Sequence, residues 1–305
     1  MTRNILITGA SGLVGTRLTQ VLQAHGHRVS HLGRTARTGD VPSFVWDLNK
    51  RYADPHAFEN TDVVIHLAGA GVADKRWTAA RKQEILSSRT QSSQLLYESL
   101  RTGAHRVKAV VSASAVGYYG FDTGDAWITE ESSPGTDFLA DVTQRWEASV
   151  DAIGSLGIRV AKLRIGIVLS TQGGALTAMA KPVQLGVGAP LASGHQYLSW
   201  IHIDDLCQMF AHAATHEGVQ GAFNAVGMQP MRNREFTRTL ARVLRKPLWL
   251  PPVPAWALRV IVGEMANIIT GGNRVSAEKI QATGFAFRYR ELEPALRHLY
   301  GMKVQ

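Results

Sequence analysis

Apolar residues fall in short unbroken runs through the first half of the chain, with apolar residues at helical spacing between the runs. NILIT (4–8), RVSHLG (28–33), DVVIHLAG (62–69), VKAVVSASA (107–115) and GIRVAKLRIGIVLS (157–170) read as strands, and SFVW (43–46) as a shorter extended piece. The run at 62–69 lacks polar alternation, as a strand covered on both faces requires. After the first run, Leu13, Leu18, Val21 and Leu22 recur on one helical face, and further helices are predicted over 77–101 and 139–154. Strands alternating with helices predict an α/β fold with a parallel, doubly wound sheet. Right-handed crossovers then gather the loops that follow the strands on one edge, where ligands bind.

Beyond residue 170 the pattern changes. Gly and Pro become frequent (GVGAPLASGH, 186–195), SWIHIDDL (199–206) reads as a strand entering a helix, and AFNAVG (222–227) as a short strand. Helices are predicted at 233–245, 255–270, 276–283 and 291–299. The expected organisation is a nucleotide-binding domain over 1–170, completed by about 199–226, and a smaller, mostly helical lobe from 171–198 and 227–305 that holds a substrate. PLWLPPVPAWALRVIVG (247–263) is the most apolar late stretch, but its four prolines and Arg259 make it a poor membrane span.

The first candidate chemistry lies in ILITGASGLVG (5–15), where Gly9, Gly12 and Gly15 follow a strand and open a helix. That context fits a dinucleotide phosphate loop. Gly9 permits the turn, Gly12 lets the pyrophosphate approach the backbone, and Gly15 lets helix pack on strand. Ser11, Leu13 and Val14 complete the loop and the helix N-terminus, whose N–H groups and partial positive charge suit phosphate. The end of the second strand selects the cofactor. An NAD site needs a carboxylate there; this chain has Gly33–Arg34, then Thr35 and Arg37. A guanidinium suits a 2′-phosphate, so NADP is expected. Asp47 fits either an acceptor for the adenine amino group or a loop cap, and Leu67, Ala68 and Gly69 are expected to line the cofactor.

Charge adds a question about the substrate. Of the net +9, the segment from Met228 onward carries +8, from 13 Lys and Arg against 5 Glu. This suggests an anionic small molecule, with Arg232, Arg234 and Arg274 as candidate partners; the plainer reading is a solvated basic face. The cations are scattered along helices without interleaved aromatics, which argues against nucleic acid. Cys207 is the only cysteine, so no internal disulfide forms, and it reads as a buried hydrophobe in a helix. The chain opens on a strand rather than a charged leader, and the expected compartment is the cytoplasm. His202 reads as a core or cap residue, Asp204 as a helix cap, and no metal pattern is expected.

TGASGLVG, DVVIHLAG, SASAVGYYG and SWIHIDDL together resemble an extended short-chain dehydrogenase/reductase. ADKRW (73–77), KQEILSSRT (82–90), GHQYLSWIHIDDL (194–206), PVPAWALR (252–259) and GFAF (284–287) narrow the resemblance. They point to atypical epimerase-family proteins, labelled nucleoside-diphosphate-sugar epimerases and, in older usage, cell-division inhibitors. The resemblance spans essentially the whole chain. It implies a Rossmann-type fold binding NADP, with Gly33–Arg34, Leu67–Ala68, Glu84, Arg89 and Val168 as matched cofactor positions.

One departure bears on catalysis. Active members of the wider superfamily use a Ser with Tyr-x-x-x-Lys, the Tyr moving the proton and the Lys lowering its pKa. Ser114 matches the Ser. The Tyr and Lys should fall in DFLADVTQRWE (137–147), where the two registers give Phe138 and Val142 or Leu139 and Thr143. None of the seven tyrosines has Lys four residues on. Tyr118 and Tyr119 are the candidate substitutes, with packing as their alternative role; Asp141 reads as a solvated first-turn acid, and His202 is the next candidate. Two functions remain open: an NADP-dependent oxidoreductase or epimerase with non-standard acid/base residues, and a non-catalytic NADPH-binding sensor or interaction protein.

Overall fold

Eight strands form one sheet in the order Gly221–Ala225, Arg159–Ile165, Ala109–Ala115, Val63–His66, Asn4–Thr8, Arg28–Gly33, Ser43–Asp47 and Tyr52–Ala53. This is a computed structural model, and it describes residues 2–36 and 38–302; Arg37 lies outside the described residues. Every neighbour in the sheet is parallel except the two-residue edge strand Tyr52–Ala53. The chain winds outward in both directions from the central pair Asn4–Thr8 and Val63–His66, so strand order reverses between them. Gly9 and Leu67 leave this pair side by side, which sets the ligand crevice of a doubly wound sheet between their loops.

The central strands are fully buried because helices cover both faces: Ile5, Leu6, Ile7, Val64, Ile65, Val110 and Val111 are at most 1% exposed. Helix Leu13–Ala24 inserts Leu18 and Leu22 into this core. Helix Ala79–Thr102 starts at Thr78, whose hydroxyl accepts from Arg81 N–H at 3.1 Å. Helix Phe138–Asp151 starts at Asp137, which accepts from Leu139 and Ala140 N–H groups. Among the described residues no helix is long and apolar enough to cross a membrane.

The predicted strand 157–170 is broken in two. Arg159–Ile165 stays in the main sheet, and Ile167–Leu169 leaves it to pair with Trp200–His202. Gly166 sits at the break because the chain crosses there: a Cβ would stand 2.1 Å from the Ser199 carbonyl oxygen. The predicted helix 255–270 is also split, into Ala255–Val262 and Ala266–Thr270, by Gly263 at φ +66°. Helix Ala175–Gln184 was not among the predicted helices; Gly173 and Gly174 lead into it and Pro182 sits near its end. Its Leu176, Ala180 and Val183 join Trp200, Phe236, Leu240, Leu292 and Leu296 in a second apolar cluster apart from the sheet core.

Candidate functional site

A cleft of about 360 Å³ opens at the crevice between the two central strands. Gly9, Ser11 and Gly12 form one wall, Leu67, Ala68 and Gly69 the next, and Gly33, Arg34 and Glu84 the far end. The three loop glycines are required for different reasons. At Gly9 (φ +70°) a Cβ would meet the Leu67 carbonyl carbon at 2.8 Å. At Gly15 it would stand 2.6 Å from Ala10 Cα, so helix and turn touch through that position. At Gly12 the nearest protein atom is the Gly9 oxygen at 3.4 Å, and the residue is exposed. Nothing inside the protein demands glycine there; the space a Cβ would fill is the space a ligand would use.

The wall at Leu67–Ala70 is held from below by side chains. Thr8 Oγ1 accepts from the Leu67 and Ala68 N–H groups, and Ser88 Oγ accepts from Ala70 N–H at 3.1 Å. Arg89 is buried, donates from Nη1 to the Ala70 carbonyl at 3.0 Å, and packs its guanidinium under Gly69. Burial lowers the Arg89 pKa to about 10. Arg89 therefore shapes the wall rather than lining the cleft. Glu84 lines it, bonded to Arg81 Nη1 at 2.7 Å, and that bond holds its carboxyl below the usual range. Arg34 makes no direct salt bridge among the described residues, and its charge, with those of Arg81 and Lys75, also acts on Glu84 across the cleft end.

The side chains of the other positions named from sequence are engaged within the protein. Asp47 Oδ1 accepts from the Asn49 and Lys50 N–H groups, which is the loop-capping role, while its neighbours Trp46 and Leu48 line the cleft. Leu13 abuts Gly174, the Val14 carbonyl lies 3.9 Å from Cys207 Sγ, and Val168 pairs with Ile201 in the strand that left the sheet. Cys207 is fully buried, and burial pushes its thiol up to about 12, as a core residue behaves.

Ser114, next to last in its strand, lies opposite Arg164 and donates to Glu147 Oε1 at 2.6 Å. Arg164 grips the same carboxylate through Nε at 2.8 Å and Nη2 at 2.9 Å, and all three residues are buried. Burial opposes the Glu147 charge, but the Arg164 bonds outweigh it and hold the carboxyl below its ordinary range. Arg164 Nη1 also donates to the Tyr119 hydroxyl at 3.0 Å, which donates to Asn224 Oδ1 at 2.7 Å. Tyr119 is 4% exposed, and burial pushes it up to about 12. Tyr118 is only partly buried, with the Arg164 guanidinium 3.5 Å from its ring centroid. Glu147 and Arg164 were missed by the sequence reading. The signal was Lys162 and Arg164 alternating with Ala161 and Leu163 in a strand otherwise fit for burial.

Of the basic candidates, Arg274 stacks on Trp127 at 4.2 Å and near Tyr197 at 5.3 Å. Arg232 lies over the same Tyr197 at 4.9 Å and pairs with Asp125 at 2.8 Å. Arg234 is apart from them, facing the Ser193 carbonyl. His202, Asp204 and His298 come within 4.8 Å of one another, a grouping hidden in the sequence because His298 belongs to the last helix. Each has an internal partner. His202 Nδ1 accepts from Asp204 N–H, His202 Nε2 lies 3.2 Å from His298 Nδ1, and Asp204 binds Arg17 at 2.7 Å.

Residues 5–226 match the model of the NAD dependent epimerase/dehydratase family, and residues 253–299 match a domain of unknown function (DUF1731). The epimerase family protein SERP0438 of Staphylococcus epidermidis is 36% identical over 299 residues, covering 97% of this chain and 99% of the relative. The crystal structure of the human epimerase family protein SDR39U1 (isoform 2) with NADPH superposes with a TM-score of 0.88 at 30% identity, over 98% of this chain and 99% of that one. A nucleoside-diphosphate sugar epimerase from Corynebacterium glutamicum gives 0.81 at 30% identity, over 99% of this chain and 59% of the larger one. The likeness runs through the phosphate loop and the central strands to the closing helices, and the chain belongs to the NAD dependent epimerase/dehydratase family, as an epimerase-family protein of the extended short-chain dehydrogenase/reductase type.

Proposed function

We propose that the protein binds NADP(H) in the cleft and acts as an oxidoreductase or epimerase on a small anionic molecule, with acid/base groups other than Tyr-x-x-x-Lys. The observation that carries this is Arg34, an exposed guanidinium that lines the end of the cleft beside Gly33 and makes no direct salt bridge among the described residues. The NADPH held by the human relative supports it. The nicotinamide would supply hydride chemistry. The chain's own part is to cradle phosphate on Gly12, present Arg34 to the 2′-phosphate, and bring Arg232 and Arg274 to the anionic end of a substrate.

The cradle gives a paired prediction. Gly12→Ala meets no protein atom closer than 3.4 Å and should melt near wild type while losing NADPH affinity. Gly15→Ala would overlap Ala10 and should lower the melting temperature outright. Equal NADPH affinity in wild type and Gly12→Ala, by fluorescence titration, would remove pyrophosphate from that position.

For proton transfer the geometry favours Tyr118. Its ring is partly exposed, rests on Arg164, and its hydroxyl has no hydrogen-bond partner among the described residues. Consumption of NADPH should be assayed with a panel of carbonyl compounds. Tyr118→Phe should cost about 10²–10⁴ in rate, the worth of general acid help, with NADPH affinity intact. Full activity in that variant would send the search for the acid to another group.

A second reading, a non-catalytic NADPH-binding sensor, is favoured by one observation. The hydroxyl protons of Ser114 and Tyr119 are both committed to internal acceptors, Glu147 and Asn224. NADPH binding without turnover of any panel compound would support it.

A further inference from the structure

We infer that His66, buried behind the cleft, is a positioning residue for the cofactor: through Thr8 it fixes the peptide groups of Leu67 and Ala68 that form the cleft wall. This rests on the reading that NADP(H) occupies the cleft.

The argument is an inventory of protons. Thr8 Oγ1 accepts from Ala68 N–H at 3.3 Å and from Leu67 N–H at 3.2 Å, a donor it shares with the Thr8 carbonyl oxygen at 3.2 Å. Its lone pairs are engaged, so its own proton must go to its remaining neighbour, His66 Nδ1, at 2.8 Å. Nδ1 is then an acceptor, and the ring carries its proton on Nε2. Ser92 and Ser93 lie 3.3 Å from Nε2 and each spends its hydroxyl proton on the Arg89 carbonyl, at 3.0 and 2.9 Å. Both serine oxygens are therefore left to accept, which selects the same tautomer. His66 is fully buried, and burial lowers its pKa to about 4, keeping it neutral.

Each member is fixed by the next. Arg89, whose carbonyl anchors the serines, also holds Ala70 and lies under Gly69. Trp46 meets the imidazole edge to face at 6.2 Å and lines the cleft on its other side. With a side chain that cannot accept at Nδ1, the Thr8 proton has no assigned acceptor, its hydroxyl can turn, and Ala68 N–H loses its partner. That N–H lies 2.9 Å from the position a Gly9 Cβ would take, so the loosened wall is the one against the phosphate loop.

The test uses isosteres that divide the ring. His66→Asn keeps an acceptor where Nδ1 stands, His66→Gln keeps a donor near Nε2, and His66→Leu keeps neither. Thr8→Val removes the relay from the other end while preserving shape. NADPH affinity is read by fluorescence titration and stability by thermal melting of the same samples. His66→Leu, His66→Gln and Thr8→Val should each weaken NADPH about tenfold, the cost of one unsatisfied buried group. His66→Asn should bind close to wild type, and His66→Leu with Thr8→Val should bind no worse than either alone. The inference fails if affinity follows melting temperature across the set whichever nitrogen is mimicked, or if the double variant shows additive losses. Should a His66 variant not fold, Thr8→Val against Thr8→Ser carries the test, with loss expected only in the former. Wild-type protein that does not bind NADPH would overturn the cofactor reading itself, and that result is seen before any variant is made.

Discussion

Arg34→Ala is expected to bind NADPH about ten- to a hundredfold more weakly than wild type and to bind NADH unchanged. The two cofactors differ by the 2′-phosphate, so the comparison isolates the contact Arg34 would make. A hydrogen bond to a charged group contributes roughly 1.5–3 kcal/mol, which converts to that range of affinity. Arg34 is exposed, so screening by salt should favour the lower end at physiological ionic strength and the upper end in dilute buffer. Arg34→Glu should go further and prefer NADH, because the carboxylate repels the phosphate and can accept from a ribose hydroxyl. Isothermal titration of both cofactors against all three proteins measures this. Equal wild-type affinity for NADPH and NADH would defeat the assignment of NADP.

The fold was legible because its signals are local. Continuous apolar runs marked Asn4–Thr8 and Val63–His66, and the glycine spacing after the first placed the crevice. The half of the cleft made of backbone could be named for the same reason: Gly9, Gly12, Leu67 and Ala68 follow their strands directly. What escaped was built from contacts distant along the chain. Glu147 meets Ser114 across 33 residues and Thr8 meets His66 across 58, and a polar residue inside a strand does not disclose its partner. Asp47 shows the converse case. At the end of its strand it suited either a ligand or a loop cap, and its Oδ1 serves the turn at Asn49 and Lys50, a local demand that the short loop imposes. Gly166 and Gly263 look alike in sequence. One yields to a crossing chain and the other supplies a left-handed turn, and only the packing distinguishes them.

Glu147→Gln is expected to lower the unfolding free energy at pH 7 by about 3–5 kcal/mol, the cost of removing one partner from a buried ion pair. Glu147 and Arg164 are 5% and 4% exposed, so the abandoned guanidinium could not recover its hydration. Lys162, 3.6 Å from the carboxylate, has its own partner in Asp151 at 2.6 Å and offers Arg164 nothing. The pH dependence follows from the depressed folded-state pKa, set by burial on one side and the stronger Arg164 bonds on the other. A carboxyl with a lower pKa folded than unfolded adds stability above its unfolded value, about 4.3 for Glu. That stability is lost as pH falls through the folded value. Wild type should therefore lose stability steeply below about pH 4, and Glu147→Gln should lose less over the same interval. Urea unfolding at several pH values measures both effects. Ser114→Ala should cost only about 1 kcal/mol, because Arg164 still satisfies the carboxylate. Replacing Glu147 and Arg164 together by Leu and Met should cost less than the sum of the two single changes. If Glu147→Gln proved as mild as Ser114→Ala, the buried pair would not be what holds Ser114 and the Tyr119 hydroxyl oxygen in place.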